Sequence, residues 1–153
     1  MLDIWASMNP LSRPAPISFV ARAHCPLPLI TARVHAGFPS PGDDYADGDL
    51  DLSERFIRHP AASFFQRVGG DSMTGEGIRH GDYLLVDRSR DPRDGDVVLL
   101  EVDGDQVVRL FCHDRRAIHF DAAHPGHPPI AFGPGCAVIG VVTSIHRDLT
   151  CQP

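Results

Sequence analysis

The sequence predicts a mostly β body, a compact set of bent antiparallel sheets, behind an extended N-terminal arm. Three observations lead there. Seven of the 14 prolines fall in the first 41 residues. Beyond residue 60 the chain breaks into short runs rich in Val, Ile, Leu and Phe, parted by Gly, Asp and Pro clusters. No apolar stripe of helical period is long enough to build a helical layer, and no internal repeat is present.

Residues 1–48 read as the arm and 49–153 as the body. Proline fixes φ, removes a backbone donor and pushes its predecessor out of the helical region. Only short strand-like pieces, at 17–22 and 29–34, are therefore expected in the arm. The acidic stretch "GDDYADGDLD" (42–51) reads as a turn-rich hinge. "LSERFIRHP" (52–60) predicts a short helix capped by Ser53 and stopped by Pro60. Strands follow at 63–68, 82–87, 96–102, 106–111, 117–120 and 137–147.

The sharpest local prediction is a hairpin turning at Asp103-Gly104, because Asp-Gly suits a two-residue turn. That turn pairs Val102 with Asp105, Leu100 with Val107 and Val98 with Arg109. Strand alternation then sets Arg109 on one face with Val107 and Phe111. Taken alone, Arg109 reads as a sheet-rim arginine with its stem packed and its head in water.

Composition narrows the function. A chain of 153 residues has room for one real core. Its net charge of −6 argues against direct binding of duplex DNA, which rests on clustered cations. No apolar run approaches the length of a membrane span, and the N-terminus lacks the basic start and apolar stretch of a secretory signal. The four cysteines, Cys25, Cys112, Cys136 and Cys151, form no Cys-x-x-Cys pair. That pattern suits reduced thiols in the cytoplasm better than a disulfide frame or a zinc site. All 14 basic residues are arginine; there is no lysine.

One stretch carries candidate chemistry: "VGGDSMTGEG" (68–77) holds Ser72 between glycines just after a strand. Asp71 beside it reads as a turn aspartate, since adjacent side chains point apart. His119, His124 and His127 lie in "HFDAAHPGHPP", a proline-broken segment without carboxylate or cysteine spacing for a metal. They read as a solvated loop, and no metal or other cofactor is expected.

Several stretches together resemble one family, the self-cleaving serine peptidase domains of LexA repressors and UmuD-like polymerase accessory subunits. They are "AGFPSPGDDY" (36–45), "LDLSERFIRHPAASFF" (50–65), "GDSM" (70–73), "GIRHGDYLLVDRS" (77–89), "GDVVLLEVDGDQVVRL" (95–110) and "VIGVVTSIHR" (138–147). The resemblance spans roughly residues 27–147, in the family's order, and residues 1–26 resemble nothing familiar. It implies a compact LexA/UmuD-type peptidase domain with Ser72 as nucleophile and Ala36-Gly37 as the bond cut. It also implies backbone oxyanion donors at Ser72 and Met73. A proline-rich arm stands where repressors carry a winged helix-turn-helix, so the chain resembles the UmuD-like branch. The partners then implied are a second copy, an error-prone translesion polymerase catalytic subunit and a RecA-type recombinase filament.

The departure lies at the base. The family places a lysine on the second hairpin strand, where burial leaves a neutral amine to take the seryl proton. Arg109 stands there instead, and a guanidinium offers only donors. Three readings stay open. The domain is an inactive relative, in which Arg109 hydrogen-bonds Ser72 or a backbone carbonyl; or a histidine substitutes, His113 and His119 being nearest in sequence; or the lysine was changed in an otherwise working enzyme. The missing base predicts that unaided cleavage at Ala36-Gly37 is absent or very slow; efficient Ser72-dependent cleavage would point to a histidine base.

Overall fold

The computed structural model describes residues 25–30, 46–114 and 117–150. The strand-like piece at 17–22, residues 31–34 of the second one and the Ala36-Gly37 bond lie outside them. The chain divides between Arg58 and His59 into two compact units.

The smaller unit holds a two-stranded antiparallel sheet, β1 (Leu27–Ile30) with β2 (Ala46–Leu50), followed by a one-turn helix, α1 (Leu52–Phe56). The stretch expected to be a hinge is therefore partly strand: an extended partner at 27–30 gives the acidic residues a ladder that local composition does not announce. The helix cap is not the expected Ser53. Asp51 caps α1, its carboxylate accepting from Ser53 N at 2.7 Å and Glu54 N at 3.2 Å. The other carboxylate oxygen accepts from Cys25 N at 2.9 Å, so one side chain ties the helix to the start of β1. A carboxylate can serve both ends at once; the Ser53 hydroxyl, inside the helix, cannot.

The larger unit is one seven-stranded antiparallel sheet. Its strands are β3 (Ser63–Arg67), β4 (Tyr83–Asp87), β5 (Val97–Val102), β6 (Asp105–His113), β7 (Ile118–Asp121), β8 (Ile130–Ala131) and β9 (Cys136–His146). Their spatial order is β3-β4-β9-β5-β6-β7-β8. The fold is mostly β, as the strand runs predict. The β5–β6 hairpin has the predicted register, with Val98 opposite Arg109 and Val102 opposite Asp105. Its two turn residues both have positive φ, 52° at Asp103 and 92° at Gly104, as a type I′ turn requires. The two-residue strand β8 has no signal in sequence; it exists because β7 offers it an edge.

The sheet bends at β9. One residue too many stands between the pairs Leu99–Gly140 and Leu100–Val138, and another between Val86–Val142 and Leu85–Ser144. Ile139 and Thr143 are thus bulged, and bulges increase twist and curvature. A strand bent twice can serve β5 with one half and β4 with the other. Apolar side chains cover both faces of the middle strands, which explains the unbroken run Val97–Leu100. Val98 and Leu100 pack with Phe111, Phe120, Val138 and Val141, whereas Leu99 packs with Met73, Ile78, Leu84, Val86 and Ile139.

Between the bulges the chain has room only for glycine. A Cβ on Gly140 would lie 2.8 Å from Val86 Cγ1 and 2.9 Å from the carbonyl oxygen of Asp87. The methyl group can move, but the carbonyl is held in the β4 ladder. Gly140→Ala is therefore expected to lower stability by about 1–3 kcal/mol, read as a drop in urea midpoint without a change in slope.

Candidate functional site

Ser72 is placed by what surrounds it in the chain. After β3, Val68 exchanges backbone hydrogen bonds with the start of β4: Val68 N to Asp82 O at 2.8 Å and Gly81 N to Val68 O at 2.9 Å. The chain turns at Gly70, with φ 92°, and enters a 3-10 turn at Thr74–Glu76 that closes on Gly77, φ 76°. Met73 is the anchor. Its side chain is buried in the second apolar cluster, and its carbonyl accepts from Ile78 N at 3.2 Å. With Met73 drawn inward, the adjacent Ser72 stays half-buried on the wall of a cleft of about 360 Å³. Among the described residues, no backbone hydrogen bond engages the N–H of Ser72 or Met73, so both remain free to donate.

A second set of contacts braces this loop from below. Asp82, fully buried, receives Arg147 Nε on one oxygen and Nη2 on the other, each at 2.6 Å. The same Nη2 donates to Gly77 O at 2.7 Å, and Arg79 N donates to Asp82 at 2.7 Å. The end of β9 is thereby fastened to the end of the Ser72 loop. The Arg147 hydrogen bonds hold the Asp82 carboxyl below the usual carboxylate range. No short-range pattern in the sequence links these two residues, which are 65 positions apart.

Facing Ser72 is Arg109, and here the rim reading is overturned. Arg109 is only 8% exposed, its head turned inward and not into water. Its Nη1 donates to Ser72 Oγ at 2.7 Å and to Val108 O at 2.8 Å. Its Nε is buried with no hydrogen-bond partner, and among the described residues it forms no salt bridge with a carboxylate. Burial pushes the guanidinium down from its ordinary value. It is nonetheless a cation at neutral pH, with N–H groups only. The Ser72 oxygen therefore accepts a charge-assisted hydrogen bond, which withdraws electron density from it, and Arg109 offers no lone pair for its proton.

Histidine enters the cleft from an unexpected place. Neither His113 nor His119 lines it; His127 does, with Nε2 3.0 Å from Asp71 Oδ1. So Asp71 is more than a turn residue, and the loop of histidines is not wholly solvated. The His127 hydrogen bond holds the Asp71 carboxyl below its usual range. Among the described residues His127 makes no hydrogen bond to Ser72. The loop between β7 and β8 carries it there, and nothing local in "AAHPGHPP" signals that return.

His119 sits elsewhere. On β7 it lies opposite Cys112 of β6, with Asp121 two residues along on the same face. Strand pairing thus supplies the cysteine neighbour that linear spacing did not, beside a carboxylate two residues from His119.

Residues 28–143 match the family described as peptidase S24-like. The chain is 43% identical over 122 residues to Protein ImpA of Salmonella typhimurium, covering 78% of this chain and 83% of that protein. It is similar, at 43% identity over 122 residues, to Protein SamA of Salmonella typhimurium, covering 78% and 85%. LexA repressor 2 of Xanthomonas axonopodis pv. citri is 34% identical over 125 residues, covering 82% of this chain and 58% of the repressor.

Proposed function

Since the chain belongs to the peptidase S24-like family, in its UmuD-like LexA/UmuD branch, we propose that it is an accessory subunit of an error-prone translesion DNA polymerase in the SOS response, one that works without cutting its own arm. The observation that carries this is the 2.7 Å hydrogen bond from Arg109 Nη1 to Ser72 Oγ. In this reading Ser72 holds the nucleophile position, the N–H groups of Ser72 and Met73 the oxyanion position, and Ala36-Gly37 the bond once cut in the 1–48 arm. Arg109 occupies the position of the base and locks the serine. The chain acts in the cytoplasm as a homodimer and engages the polymerase catalytic subunit or a RecA-type filament in its uncut form. Loss of the base is favoured over its replacement, because among the described residues the serine hydroxyl is bonded to Arg109 and not to the cleft histidine.

The test is direct. The full chain, incubated at alkaline pH with and without an activated recombinase filament, is expected to release no fragment of residues 1–36. The uncut chain is expected to co-purify with an error-prone polymerase catalytic subunit. Ser72-dependent cleavage by the parent protein would sink this reading; if it vanished in His127→Gln, the base would be that histidine.

A further inference from the structure

We propose that Cys112, His119 and Asp121 form a binding site for a divalent transition-metal ion of the zinc class. The site stands apart from the serine cleft, whose lining contains none of the three.

Strand register brings the three residues together. Cys112 and His119 are directly paired across β6 and β7, and Asp121, paired with Leu110, lies diagonal to Cys112. In such a ladder, opposite and diagonal side chains on one face are within reach of each other. Phe111 and Phe120, the intervening pair, point to the other face and into the core. The two buried rings, 5.9 Å apart in an edge arrangement, fix both strands and hold the three polar side chains in register.

Their donor atoms converge. Cys112 Sγ lies 3.6 Å from Asp121 Oδ2, and His119 Nε2 lies 3.7 Å from the same oxygen. All three donor atoms fall within 4.8 Å of one another. Tetrahedral zinc, with bonds of about 2.0–2.3 Å to nitrogen, oxygen and sulfur, sets neighbouring ligand atoms about 3.3–3.7 Å apart. Two edges of the triangle already have that length. The donor set of thiolate, imidazole and carboxylate suits zinc, and not magnesium or calcium, which take oxygen alone. All three residues are half-buried, so an ion can reach them from solvent and water can fill the fourth position. Binding forms one bond each to sulfur, nitrogen and oxygen and releases the Cys112 thiol proton to solvent.

Metal-free full-length protein titrated with Co²⁺ tests the assignment. One equivalent is expected to give a thiolate-to-cobalt charge-transfer band, which Zn²⁺ then removes by displacement. Cys112→Ser should abolish the band. His119→Gln and Asp121→Asn should each weaken metal binding by about tenfold or more, at least what loss of a supporting residue costs. Cys136→Ser and the double variant His124→Gln/His127→Gln should leave the titration unchanged. Absence of the band, its persistence in Cys112→Ser, or its loss in either control overturns the site. Thermal melts without metal verify that each variant is folded. If Cys112→Ser does not fold, His119→Gln decides, because His119 and its partner Asp121 both keep part of their side chains in solvent.

Discussion

Arg109→Lys is expected to cut its own chain between Ala36 and Gly37, and the parent chain is expected not to. In the proposed reading the substitution removes what blocks the serine, a donor-only cation whose Nη1 binds Ser72 Oγ. Burial that pushes the Arg109 guanidinium down acts more usefully on an amine, since a lysine in the same place is driven toward its neutral form. The neutral amine can accept the seryl proton, a step worth about 10²–10⁴-fold in rate. Cleavage should rise with pH as the amine loses its proton, then level off above its depressed pKa. Ser72→Ala in the same background should abolish it. Timed gels following the fragment of residues 1–36 provide the measurement. A folded Arg109→Lys that stays uncut across the alkaline range would mean that more than the base has been lost.

Arg147→Ala is expected to destabilise the fold more than Asp82→Asn does, seen as the lower urea midpoint of the two. The asymmetry is the point. Asp82 is 1% exposed, whereas the Arg147 side chain is 33% exposed. Removing Arg147 strands a buried carboxylate; removing the charge in Asp82→Asn leaves an arginine that water can still reach, and should cost less. The pH dependence has a definite sign. Asp82 is depressed below its ordinary value by Arg147, so its contribution is fully present above about pH 4, the usual aspartate range. It is lost as pH falls through the depressed folded value. The gap between parent and Arg147→Ala should therefore narrow in acid, as read by urea unfolding at a series of pH values. Because Arg147 also holds Gly77 O, Arg147→Ala added to Arg109→Lys should slow cleavage as well.

What the sequence made legible was local. The Asp103-Gly104 turn determined the β5–β6 register, and from the register came the face that Arg109 occupies. Its burial was another matter. Alternation places a side chain on a face but does not say what loop will cover it, and the cover here comes from Ser72, 37 residues earlier. The same limit explains the other differences. Asp51 caps α1 because it also meets Cys25, and His127 reaches the cleft because the β7–β8 loop returns to Asp71. Cys112 finds its neighbours only through pairing with β7. Each contact depends on strand pairing or on a returning loop, which no local period announces. The family resemblance pointed to Ser72 and Arg109 as the serine and lysine positions but said nothing of these contacts.

The place of β9 has a consequence for how the protein is made. It lies between β4 and β5 in space, yet it leaves the ribosome after every other strand described. Until it arrives, a nascent chain exposes one open edge on β4 and another on β5, each able to pair with a neighbouring nascent chain. Pairing so distant in sequence closes slowly and only after synthesis has passed residue 146. Translation that stalls before that residue leaves two half-sheets with nothing to join them.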